Sequence, residues 1–225
     1  MARMGEGYGE WYRSLCASDL PQSYLVRAFG YTSRMLSEKQ FRERTKVELR
    51  EIGKQVASLA ADRDIYRKLE TEVIPGNPRL QNARSAFLVM VRGAYADAMA
   101  VRVLRLLDAD STGLSLRRVL AQIAEYPQLL HDKVGDREFA NECAALERAA
   151  ANLQAVIDPH FAPHERTPAA LAAVHRAVDE ALDTTISTLE TYYWVVAEGH
   201  LDLDPSYAED PLAVFEFAWV ERRPV

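Results

Sequence analysis

A chain of 225 residues falls between one domain and two, at roughly 150 residues per domain. Hydrophobic side chains make up 48% and charged ones 27%, with only 10 Gly and 10 Pro, which excludes collagenous, low-complexity and wholly disordered chains. Its 27 basic and 33 acidic side chains give a net charge of −6, so nucleic acid could be held only through a local basic face, not by global charge.

Residues 1–33 read as an irregular N-terminal extension. Its first twenty residues are rich in Gly and Tyr and lack the apolar run of a signal peptide. Cys16 and Cys143 are too few for a disulfide framework or a thiolate zinc site and fit a reducing compartment. From Met35 to about Val73, apolar Leu49, Ile52, Val56, Leu59, Tyr66, Leu69 and Val73 recur at helical spacing. Pro75-Gly76-Asn77-Pro78 ends that helix, because proline lacks a donor and restricts the residue before it. Arg34 to Lys68 carries ten basic and six acidic side chains. That surplus fits a solvated face of intrahelical ion pairs, with an RNA-facing stripe as the alternative.

A second helix, from about Leu80 to Leu107, is apolar nearly all round, which predicts a central helix covered by its neighbours. Arg92, Asp97, Arg102 and Arg105 exclude it as a membrane span. After the turn Asp110-Ser111-Thr112-Gly113, Ser115 is the expected N-cap of a shorter helix from Leu116 to about Leu130. A fourth, Ala-rich helix runs from Arg137 to Ile157. Beyond the loop Asp158-Pro159-His160-Phe161-Ala162-Pro163-His164, Thr167 caps a last long helix with Pro168 at its first position. The apolar stripe of that helix is Leu171, Val174, Val178, Leu182, Thr185, Leu189, Tyr192 and Val196. Residues 202–225 form a tail that is acidic and then aromatic. The expected fold is all-α, an up-and-down bundle of about five helices over 34–201.

Three charges interrupt the apolar second helix. At about 100° per residue, Arg105 lies roughly 80° from Asp97 and Asp108 only about 20° from it. Charges on so apolar a helix must be paired, which predicts either a structural salt-bridge cluster or the polar wall of a phosphate-binding or catalytic cleft. His160 and His164 near the last helix have unperturbed pKa values close to neutrality, which suits a general acid and base. They lack the companion ligands of a recognised metal pattern, so neither metal nor cofactor is expected. No phosphate loop, nucleophile elbow or zinc-protease motif is present in the sequence.

The stretch Ala94-Tyr95-Ala96-Asp97-Ala98-Met99-Ala100-Val101-Arg102-Val103-Leu104-Arg105-Leu106-Leu107-Asp108, followed by Leu114-Ser115-Leu116-Arg117-Arg118-Val119-Leu120, resembles the abortive-infection U-type branch of the HEPN superfamily. Phe161-Ala162-Pro163-His164 would occupy that family's polar turn, and the likeness covers about residues 40–200. It implies a helical bundle that commonly dimerises, in a toxin–antitoxin or phage-defence context, with a cognate antitoxin or neighbouring-gene product as partner.

Active members of that superfamily are metal-independent endoribonucleases that pair an Arg with a His after four to six intervening residues. By resemblance His164 would be acid or base, His160 an auxiliary and Arg105 a phosphate cation oriented by Asp97. Arg102 and Arg166 would bind RNA phosphate, and Asp108 and Asp158 would support the site. At the decisive place the chain departs from the pattern. Ile157, Asp158 and Pro159 fill the window before His164, so the family's Arg is missing. The expected function is therefore RNA cleavage or RNA binding, or alternatively an inactive interaction module binding a partner protein or nucleotide, in a cytoplasmic protein.

Overall fold

The structure, a computed structural model, describes residues 37–77, 86–109, 113–126, 129–130, 133–160 and 167–203, with the side chains of 86, 87, 159 and 160 outside that set. The expected extension over 1–33, most of the tail over 202–225, His164 and Arg166 lie outside the described residues. All helices belong to the unit Glu38–Val225. They are α1 (Glu38–Lys68), α2 (Ala86–Leu107), α3 (Leu116–Ala124), α4 (Asp136–His160) and α5 (Pro168–Ala197). No strand occurs among the described residues, so the protein is an all-α bundle.

Helix α1 gives way to one π-helical turn, Leu69–Val73, and a last helical turn, Ile74–Gly76, before Asn77 takes up extended geometry. Pro75 has no N–H to bond back to Thr71, and the wider turn accommodates that loss where the helix runs out. Ser115 caps α3 as expected, its hydroxyl accepting from the Arg118 N–H at 3.2 Å. The helix stops at Ala124 rather than near Leu130, because Pro127 disfavours helical geometry at the residue before it. Helix α4 runs past Ile157 to His160. Thr167 caps α5, accepting from the Ala170 N–H at 3.1 Å. The same helix ends at Glu198 in left-handed geometry (φ 56°), where the Glu198 carboxylate accepts from Lys133 at 2.8 Å.

Paired side chains give the helix directions. Arg42, Arg63 and Arg67 of α1 bond Glu198, Asp183 and Asp179, so α1 and α5 are antiparallel. Glu70 meets Arg92, and Asp62 meets Arg102, so α1 and α2 are antiparallel as well. Phe139 stands edge-on to Tyr192, at a ring separation of 5.6 Å, which sets α4 against α5. The chain thus runs up α1, down α2, up α4 and down α5, with α3 as a short crosspiece.

The central helix is α5, not α2. Val174, Val178, Ala181, Leu182, Leu189, Tyr192, Val195 and Val196 are all buried against α1, α2 and α4. The second helix was expected in that role. It buries Ala96, Met99, Ala100, Val103 and Leu106 on one side, yet leaves Val89, Met90 and Val101 more than half exposed. An apolar composition shows that a helix face avoids water, but the neighbours decide which faces find cover.

Candidate functional site

Helices α1 and α2 cross so that Lys54, Gln55 and Ser58 face Arg102, Arg105 and Leu106 across a cleft of about 340 Å³, with Glu51 and Leu59 also in its wall. Three cations against one carboxylate make this an anion-seeking surface. Arg102 is held in place, its guanidinium donating to the Ser58 hydroxyl at 2.9 Å and to the Asp62 carboxylate. Lys54 pairs with Glu51 at 2.6 Å, one turn away on its own helix. Arg105 is exposed on the α2 side. A guanidinium fixed by its neighbours keeps N–H groups in a set fork, the geometry that suits a phosphate.

The remaining basic residues of α1 are largely committed to partners. Arg63 and Arg67 bond Asp183 and Asp179 of α5, Arg42 bonds Glu198, and Arg44 and Lys68 pair with Glu48 and Asp64. Thus the Arg34–Lys68 surplus lies mostly in a ladder of ion pairs, as the solvated-face reading expects. What stands out is the small group where α1 meets α2.

The other residues singled out in the sequence are scattered. Asp97 is half-buried and Asp108 exposed, so the three charges of α2 do not form a sealed ionic core. Asp158 is exposed and accepts from Gln154 within α4. His160 is the last residue of α4, and Thr167 opens the next helix. Both helix termini stand at the end of the bundle where α2 begins, whereas Arg105 lies at the end where α2 finishes. At 1.5 Å per residue, the pairings that align α1, α2 and α5 put Arg105 level with about residue 188, roughly 30 Å along the axis from Thr167.

A second polar cluster went unassigned in the sequence. Tyr66 and Tyr95 stack with centroids 3.8 Å apart, and His175 stands edge-on to both, at 4.9 and 5.5 Å. Beside them Arg92 grips Glu70 through two bonds of 2.7 Å. Burial pushes the Glu70 carboxyl up, but the Arg92 bonds outweigh it and hold it below its ordinary value. Burial likewise raises both tyrosines. Burial also lowers His175, against a hydrogen bond to the Arg92 backbone and the charges of Asp179 and Glu70, and its buried Nε2 has no hydrogen-bond partner. A neutral imidazole closed off in this way serves packing rather than proton transfer. The only sequence signal was the helical spacing that sets His175 one residue after Val174 of the buried stripe.

Among the described residues no group of His, Cys, Asp and Glu could hold a metal ion, and no helix is long and apolar enough to cross a membrane. Comparison of the chain with family models, curated proteins and solved structures finds no match.

Proposed function

We propose that this chain is a helical RNA-binding protein of the abortive-infection, HEPN-like kind that its Asp97–Asp108 block resembles, and that it binds RNA without cutting it. The phosphates lie along the α1–α2 cleft, where Lys54, Arg102 and Arg105 donate to them. One observation carries this reading: three cations of two separate helices converge on a single cleft, one of them already positioned by Ser58 and Asp62. Phosphate contacts give affinity without sequence readout, which suits so small a site. Binding is favoured over cleavage because the helix ends flanking His164 stand far from Arg105, so the two cannot share one phosphate within a protomer.

Fluorescence anisotropy with a labelled single-stranded RNA tests this. Two to three phosphate contacts predict a slope of about −2 for log affinity against log salt, and at least tenfold weaker binding by Arg102→Glu or Lys54→Glu with an unchanged circular dichroism spectrum. Binding that ignores salt, or that survives both substitutions, refutes the cleft as the RNA site. RNA cleavage by the purified protein that disappears in His164→Ala refutes the non-cleaving reading.

A further inference from the structure

The outward face of α2 has the makings of a self-complementary contact. Met90 is 60% exposed and Val101 51%, and exposed Ala94 and Ala98 lie between them at helical spacing. The result is one apolar stripe with small residues at its middle, where a second helix can approach closely.

We propose that this stripe packs antiparallel against α2 of a second copy, about a twofold axis passing beside Val101. A twofold through one helix position places the residue k before it opposite the residue k after it on the other chain. Four residues before Val101 is Asp97, and four after it is Arg105, an acid and a base. Three before is Ala98, and three after is Leu104, a small residue and a large one. On the helical wheel Asp97 and Arg105 lie about 40° to either side of Val101. Each copy therefore offers Asp97 to Arg105 of the partner subunit and receives the reverse pair. Val101 meets its own counterpart between them, and Leu104 fills the space left by Ala98 of the partner subunit.

The charge order favours a second copy over an unrelated partner, since this pattern is its own complement when reversed. One helix pair sits at the low end of stable interface size, so association in the micromolar range is expected. The contact stands independently of RNA binding. Arg102 lies about 100° round the helix from Val101, and Lys54 is on α1.

Sedimentation velocity of the full chain from 1 to 200 µM tests the contact. A concentration-dependent dimer is expected, with at least tenfold weaker association in Val101→Arg, a substitution at an exposed helical position that should leave the monomer's melting temperature unchanged. Asp97→Arg and Arg105→Asp should each weaken the dimer, and combining them should restore it. Val101→Cys should cross-link to itself on oxidation, with the disulfide between the two introduced cysteines located by peptide mass mapping. A chain that stays monomeric at 200 µM overturns the proposal. So does a dimer that tolerates Val101→Arg, or that the double charge swap fails to rescue, since another segment or surface would then be making the contact.

Discussion

His175 stands edge-on to two stacked tyrosines with a nitrogen cut off from solvent, so charging it would cost solvation that nothing nearby restores. Its pKa in the folded state therefore lies below the ordinary value that it regains on unfolding. As pH falls through about 6.5, the unfolded chain takes up the proton first, and stability falls with it. Denaturant unfolding at pH 7.5 and 5.5 should show a loss at the lower pH that shrinks in His175→Phe, which keeps the edge-on ring and drops the titration. Glu70 titrates in a separate, lower window: its depressed pKa contributes stability that is lost only as pH drops below the ordinary carboxylate range. At this scale the sequence was informative about type but not about surroundings. It marked Asp97, Arg105 and Asp108 as exceptional, yet both sealed-cluster and open-cleft readings suited them. Only the crossing of α1 with α2 put Arg105 beside Arg102 and Lys54.

Periodicity located the helices well because 3.6-residue spacing is a local property. The caps at Ser115 and Thr167 were legible for the same reason, since each serves N–H groups of its own first turn. The ranking of helices was not legible. Helix α2 is apolar on faces that the single chain never covers, while α5 carries hydroxyls and a moderate composition yet is buried on several sides. Truncation separates the two cases. Leu189→Ala should cost about 2–5 kcal/mol, because the fully buried side chain leaves a cavity, whereas Val89→Ala at 62% exposure should stay within about 0.5 kcal/mol. Urea midpoints read both, and a large loss at Val89 would show that the outer face of α2 is packed within the monomer. The π-helical turn at Leu69–Val73 is a further case: Pro75 announced the end of the helix, but not the widened turn that carries Glu70 toward Arg92.

Across the whole molecule, the up-and-down course separates the two groups that a common site would need. Arg105 belongs to the end of the bundle where α2 finishes, and the helix termini on either side of His164 belong to the other. The two positions should consequently act independently: Arg105→Ala should weaken RNA binding several-fold, His164→Ala should leave it unchanged, and the double variant should match Arg105→Ala. Anisotropy titrations of the three proteins check this, and a His164→Ala effect as large as that of Arg105→Ala would put both residues in one site. The sequence by itself determined the helical class, most helix boundaries and caps, and the absence of any global charge that could hold RNA, because each follows from short-range periodicity, backbone chemistry or simple counting. Only the tertiary structure decided which helix lies at the centre, which basic side chains of α1 meet acids of α5, and which remain to line a cleft. Those outcomes depend on the register between segments far apart in the chain, and no local pattern encodes it.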